Sequence, residues 1–293
     1  MPVPHKLQEF EAKDGDFVVT PDVQKAFDEY GYIVVRGLLE PEELSVLKTA
    51  IEKDAATQDK SYGRDDGAGR KTRVSLWNHP GDDVTGVVAR AEKVAGTFEK
   101  LLGGEVYHYH SKVILKDAFT GGAHIWHQDY GYWYENGCLM PDMGTTWIAL
   151  DKADESNGCL KIIPGSHKAG RVSHIRVGDQ AGADPERVEY FSEKLGVLPT
   201  VLDPGDALFF HCNVLHRSDQ NSSPNRRWSY LVSYNRASND PFKEHHHPRY
   251  TPMEKVPNSM IRKCTTDLKS EGKWFMGNPN DEDISLAGLH GGH

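Results

Sequence analysis

Ala123-His124-Ile125-Trp126-His127-Gln128-Asp129 is the stretch on which the reading of this chain turns. His127 and Asp129 stand two apart, and on an extended segment residues i and i+2 point to the same side. Both can therefore reach one metal ion while Gln128 faces away. A further ligand two residues along would lie too far off, so it has to come from a different strand, and His216 offers it. Two imidazoles and one carboxylate are the facial ligand set that suits non-haem Fe(II) and leaves coordination positions open. Arg227 follows, opening the strand-like run Trp228–Tyr234. A guanidinium there can grip the distal carboxylate of 2-oxoglutarate in a two-pronged charge-assisted bond, while the 2-oxo acid end chelates the iron.

Outward from this stretch the chain reads in short β-rich runs: Val106–Leu115, Thr145–Leu150, Cys159–Ile163, Thr200–Leu202, Ala207–Phe210 and Trp228–Tyr234. Turn signals separate them, among them Ser156-Asn157-Gly158, Pro164-Gly165-Ser166 and Asp203-Pro204-Gly205-Asp206. Many short strands so punctuated predict an all-β double sheet or barrel. Upstream, Pro21–Tyr30 and Pro41–Asp54 read as helices with proline in the first turn, and Tyr32–Arg36 as a strand between them. Residues 83–103 read as another amphipathic helix ended by Gly103-Gly104. The polar stretch 55–72 reads as a loop, and 166–199 as a long polar insertion between strands. The expected organisation is a single domain over 1–293: a helical N-terminal part at 1–104, a β core at about 105–240 and a C-terminal extension at 241–293.

Composition narrows the function classes. With 293 residues, 38% hydrophobic and 26% charged, the chain can bury a sizeable core. Its formal charge of -9 lacks the basic stripe of a nucleic-acid binder, and no apolar run is long enough to span a membrane. The polar N-terminus has no apolar signal core, so the cytoplasm is the expected address. Cys138, Cys159, Cys212 and Cys264 form no C-x-x-C pair and read as reduced thiols. These features mark neither a nucleic-acid nor a membrane partner.

The run Gly31–Leu39, then His127-Gln128-Asp129, Asn157-Gly158-Cys159-Leu160, Pro164-Gly165-Ser166-His167-Lys168, Pro204-Gly205-Asp206, His216-Arg217-Ser218 and Arg227 resembles the phytanoyl-CoA dioxygenase (PhyH) family, motif by motif and in order. The resemblance implies a mainly β fold with flanking helices around a double-stranded β-helix (jelly-roll, cupin-like) core. It also implies a dioxygenase using Fe(II), 2-oxoglutarate and O2, releasing succinate and CO2. By position, His127, Asp129 and His216 match the iron ligands and Arg227 the 2-oxoglutarate clamp. Ser218 matches a hydroxyl that assists the clamp, Trp147 a wall of the co-substrate pocket, and His110 a position where the ectoine enzymes carry Gln. Related halogenases have a small residue where Asp129 stands, so the carboxylate implies hydroxylation.

Substrate residues are read from the polar-aromatic mixture near the triad. Tyr130, Tyr132 and Trp133 offer ring faces that attract a quaternary ammonium, worth ~0.5–2 kcal/mol per ring. Lys112, His108, Arg73 and Asn78 offer groups for an anion. The mixture predicts a small zwitterionic or anionic metabolite, quaternary-ammonium or phosphonate-like compounds included. An acyl-CoA hydroxylase of the same family is the alternative. A zinc-dependent or non-catalytic jelly roll is another, since zinc accepts the same ligands. His124 projects differently from His127 and is not read as a ligand. His245-His246-His247 reads as a solvated loop, as does Asp65-Asp66.

Overall fold

A computed structural model describes residues 6–177 and 180–276, so the expected C-terminal extension is seen as far as Met276 and the rest of it lies outside the described residues. In chain order the strands are β1 (Glu9–Glu11), β2 (Tyr32–Arg36), β3 (Tyr62–Asp65), β4 (Lys71–Trp77), β5 (Val106–Lys116), β6 (His124–His127), β7 (Met143–Ala149), β8 (Leu160–Ile162), β9 (His174–Val177), β10 (Gln180–Ala183), β11 (Leu198–Pro199), β12 (Ala207–His211), β13 (His216–Ser218) and β14 (Arg227–Arg236). The helices are α1 (Pro21–Tyr30), α2 (Pro41–Lys53), α3 (Ala55–Asp59), α4 (Val84–Arg90), α5 (Thr97–Leu102), α6 (Asp129–Trp133) and α7 (Pro185–Leu195).

Eight strands form one sheet in the order β1-β2-β12-β7-β14-β5-β4-β3, and four form a second in the order β11-β8-β13-β6. The long central strand β14 pairs antiparallel with β5 on one side and β7 on the other. Alternation sends its two faces to different cores. Trp228, Tyr230, Val232 and Tyr234 face the helices, where Leu47, Ile51, Val88 and Phe98 meet them. Leu231 faces the smaller sheet and shares a buried cluster with Trp147, Phe210, Leu160 and Ile162. Two facing sheets, with helices on the outside of the larger, make the jelly roll that was expected.

Local signals explain the entry into the sheet. Thr20 caps α1 by accepting from the Val23 backbone N–H, Pro21 occupies its first position, and Gly31 ends it at φ 79°. A β-carbon on Gly31 would come within 2.7 Å of Val214 and closer still to His167, so this turn needs glycine twice over.

Four expectations require correction. The stretch 55–72 is not a loop: it holds α3 and β3 and enters β4, and the β3–β4 hairpin extends the sheet from the edge of β5. The stretch 166–199 carries the β9–β10 hairpin and α7 rather than an unstructured insertion. The helix over 83–103 is broken at Ala91, whose ψ of 142° leaves the helical range. There Val256 inserts as a bridge partner, accepting from the Glu92 N–H and donating to the Arg90 carbonyl. The strand at Thr200–Leu202 lies instead at Leu198–Pro199, with Leu202 making only an isolated bridge to Ala153.

Candidate metal centre

β6 ends on His127 and α6 begins on Asp129. The His-x-Asp pair therefore straddles a strand end and a helix start, rather than lying along one strand as its spacing suggested. Gln128 does face away. Its amide donates 2.8 Å bonds to Gly170 and Asn213 carbonyls, and its carbonyl accepts 2.7 Å from the Val172 N–H. That bonding fixes the link between strand and helix, and with it the direction of both flanking side chains. His216 opens β13 directly opposite His127, its cross-strand partner.

The three side chains converge. His127, Asp129 and His216 are buried, and one ligand atom from each lies within 4.8 Å of the others. Asp129 Oδ1 stands 3.9 Å from both Nε2 atoms. Each imidazole bonds a carbonyl two residues back through Nδ1: His127 to Ile125 at 2.9 Å, His216 to Val214 at 3.0 Å. A carbonyl only accepts, so both Nδ1 atoms carry the proton and both Nε2 lone pairs point inward. Burial pushes His127 well below the usual imidazole range, with His124 and His216 adding to it. Burial also lowers His216, against the pull of Asp129. Neutral imidazoles and an acceptor carboxylate are the protonation states a divalent metal requires, so the donor set fits iron(II).

The centre opens into a cavity between the sheets. Cations dominate its lining: Arg64, Lys112, Lys116, Arg217 and Arg227, against one carboxylate among the described residues, that of Asp129. Arg227 is 1% exposed, its Nη1 reaches Ser229 Oγ at 3.3 Å, and its Nε has no partner among the described residues. The Trp147 ring lies 5.3 Å from its guanidinium carbon. Lys116, also 1% exposed, donates to Ser218 Oγ at 2.9 Å and to the Asp219 carbonyl. Gly158, at φ 79°, leaves the room: a β-carbon there would press within 2.4 Å of that carbonyl and 3.1 Å of Lys116 Nζ. Two buried cations with no carboxylate among the described residues fit a bound organic anion, because isolated buried charge is costly until paired.

Sequence reasoning brought His127, Asp129, His216, Arg227, Ser218, Trp147 and Lys112 to this cavity, and all seven line it. It missed Lys116 and Arg64; the period-2 succession Lys112, Ile114, Lys116 on one strand was the available signal for the first. His124 also lines the cavity, its ring stacked on His127 with centroids 4.0 Å apart. Other named residues lie elsewhere. Arg73 is on the opposite face of β4 from Thr72, Val74 and Leu76, and pairs with Asp117 at 3.0 Å. His108 is turned away by a shift in the β5–β14 register, which pairs His110 with Ser233 but His108 with Tyr234; it bonds Asn78 and Ser111 instead. His110 follows Ser233 rather than the co-substrate end. Asn78 is engaged with His246 and His247, which also corrects the solvated-loop reading of that triplet, since His247 is 7% exposed. Tyr130 and Trp133 are buried in a separate aromatic cluster, and Tyr132 packs beside His127 while donating to the Ala181 carbonyl at 2.6 Å. Asp66 is no solvated residue either: four donors, from Ala68, Arg70, Ala123 and Gln220, meet its carboxylate.

Comparison with known proteins agrees with this geometry. The phytanoyl-CoA dioxygenase (PhyH) family model matches residues 27–229. An L-proline trans-4-hydroxylase of Streptomyces griseoviridis is 31% identical over 236 residues, covering 75% of this chain and 88% of that one. An ectoine dioxygenase of Sphingopyxis alaskensis is 28% identical over 231 residues, covering 73% and 75%. The apo crystal structure of EctD from S. alaskensis superposes with a TM-score of 0.71 at 24% identity, over 88% of this chain and 94% of that one, which shows the shared fold. The chain belongs to the phytanoyl-CoA dioxygenase family and is an Fe(II)- and 2-oxoglutarate-dependent dioxygenase. No helix among its described residues is long and apolar enough to cross a membrane.

Proposed function

We propose that this member of the family hydroxylates a C–H bond of a small anionic or zwitterionic metabolite, with His127, Asp129 and His216 holding the iron. The observation that carries the reading is a cavity whose described lining sets five cations against one carboxylate, in a protein whose formal charge is -9. Iron with 2-oxoglutarate and O2 supplies the oxidation, coupling release of CO2 and succinate to insertion of one oxygen atom into the substrate. The chain itself binds, orients and shields. Arg227 and Lys116 hold the distal carboxylate of the co-substrate, with the Ser218 hydroxyl beside them and the Trp147 ring as a wall. Arg64 and Lys112, which have no ion-pair partner among the described residues, are left to meet the substrate's anionic group. Tyr132 stands at the Arg64 end, its hydroxyl within reach of that guanidinium. No residue is needed as general base, because the substrate loses a hydrogen atom rather than a proton.

Placement of the target C–H bond sets both rate and site selectivity, and an error of about 1 Å can lower the rate on the order of 100-fold. The test has two arms. Anaerobic addition of Fe(II) and 2-oxoglutarate should give a weak visible charge-transfer band, which zinc or an empty fold does not give. A succinate-release screen over amino acids, other small carboxylates, phosphonates, quaternary amines and CoA thioesters should then single out small compounds bearing an acidic group. Stimulation by CoA thioesters alone would reject the substrate reading and favour the acyl-CoA alternative.

A further inference from the structure

Three residues on adjacent strands stand in a row behind Asp129: Thr145 on β7, Ser233 on β14 and His110 on β5. They are consecutive cross-strand partners, Thr145 opposite Ser233 and Ser233 opposite His110. All are buried, at 0%, 0% and 2% exposure. Thr145 Oγ1 lies 2.9 Å from Asp129 Oδ2, Ser233 Oγ lies 2.9 Å from Thr145 Oγ1, and His110 Nε2 lies 3.1 Å from Ser233 Oγ. The direction of every proton in this row follows from its end. An ionised carboxylate only accepts, so the Thr145 hydroxyl donates to it. Thr145 must then accept from Ser233, and Ser233, its one proton spent, must accept from His110 Nε2–H. His110 is thereby held as the Nε2–H tautomer, which agrees with a bare Nδ1 that has no partner among the described residues.

The ring at the end of the row is itself clamped. His247 stacks on it at 4.7 Å and 28°, and Trp133 meets it edge-on at 5.7 Å. His247 is fixed in turn by its 2.9 Å bond to Asn78 Oδ1. A chain of donors running one way polarises each successive bond, and here all of that polarity ends on one oxygen of Asp129. Its other oxygen, Oδ1, is the one that faces both imidazoles.

We infer that the row His110–Ser233–Thr145 is a positioning device that reserves Asp129 Oδ2 and so holds the carboxylate as a one-oxygen metal ligand. A carboxylate free to turn would present both oxygens to the metal and take a position that co-substrate or O2 needs. The inference rests on Asp129 being a ligand, so the experiment separates the two. Co(II) is titrated into wild type, Thr145→Val, Thr145→Ser and Ser233→Ala, without co-substrate, following affinity and the visible absorption of the bound ion. Thr145→Val keeps the shape and removes the donor; it should weaken Co(II) binding about 10–100-fold, the usual effect of losing such a partner, and alter the visible band. Thr145→Ser restores the hydroxyl and should return both to wild type. Ser233→Ala leaves the Thr145 donor in place and should fall between. Thr145→Val with wild-type affinity and spectrum would overturn the inference, as would Thr145→Ser failing to the same degree as Thr145→Val, which would make the residue a packing element. Wild type binding no Co(II) would instead overturn the metal site and the row with it.

Discussion

Replacing Lys116 with Met separates a binding role from a structural one, because the two roles predict opposite signs. The side chain is 1% exposed and lies in the cavity with Arg227, which is as deeply buried. Burial, and then the neighbouring Arg227, pushes the ammonium well below the usual lysine range. Met matches the stem without the charge. In the ligand-free protein the change forfeits two hydrogen bonds, to Ser218 Oγ and the Asp219 carbonyl, worth ~1 kcal/mol each. It relieves the burial of an unpaired charge beside a second cation, a penalty of several kcal/mol. The balance favours the variant by ~1–2 kcal/mol, a rise of roughly 2–8 °C in Tm for a chain of this size. With 2-oxoglutarate the sign reverses. A charge-assisted bond is worth ~1.5–3 kcal/mol, so Kd for the co-substrate should rise roughly 10- to 100-fold. Differential scanning calorimetry of the metal-free protein and anaerobic calorimetric titration of 2-oxoglutarate read the two quantities independently. A lower Tm with co-substrate affinity unchanged within about 3-fold would refute the reasoning and leave Lys116 as a strut for the β13 turn.

Other perturbations address the remaining groups. Arg227→Ala should raise the KM for 2-oxoglutarate by at least about 100-fold through loss of a buried two-pronged contact, while Fe(II) affinity, measured by chelator competition, stays within about 3-fold. Arg64→Gln and Lys112→Met should each raise the KM of an anionic substrate about tenfold or more; the Kd for 2-oxoglutarate should not move, and a parallel rise in both would reject the division of the cavity into two anion ends. Asp66 opposes burial with donors from Gln220, Ala123, Arg70 and Ala68, which hold its carboxyl at about 2. A folded value below the unfolded one of ~3.9 contributes stability that is present above pH ~4 and is lost as pH falls towards ~2. Melting curves of wild type should therefore drop more steeply than those of Asp66→Asn across that window, and parallel curves would remove Asp66 from the account.

Much of the fold was legible because its signals are local. Pro21 and Gly31 bracket α1, and Val106–Leu115 is rich in β-branched and aromatic residues that read as a strand whatever lies beside it. The β3–β4 hairpin was not, since Tyr62–Asp65 is a short polar strand stabilised by pairing on the edge of the sheet rather than by its own composition. The break at Ala91 depends on Val256, a partner far along the chain. The metal ligands were readable because chemistry restricts their types and spacing. The second set of cations was less so: a lysine on a strand looks solvated until the opposite sheet covers it, as β13 covers Lys116. The misplaced substrate residues share one cause, parity. Arg73 falls on the outer face of β4, and the register shift at Tyr234 turns His108 the same way, neither of which a period-2 count can reveal.

The charge pattern of the cavity also bears on the order in which it fills. Without ligands it confronts an incoming divalent cation with Arg64, Lys112, Lys116, Arg217 and Arg227 and one carboxylate among its described lining residues. A dianionic co-substrate reverses that field at the place where it binds, and the metal in turn draws the chelating end of the acid. Each ligand thus improves the other's site, and the coupling must be reciprocal: whatever factor 2-oxoglutarate adds to metal affinity, the metal adds to 2-oxoglutarate. Substrate comes under the same logic. If Arg227 holds the co-substrate as proposed, the positive charge left over would lie at Arg64 and Lys112, and an anionic substrate would meet one site rather than two. On the proposed division of the cavity, the cationic lining would assign each anion its end as well as attract it.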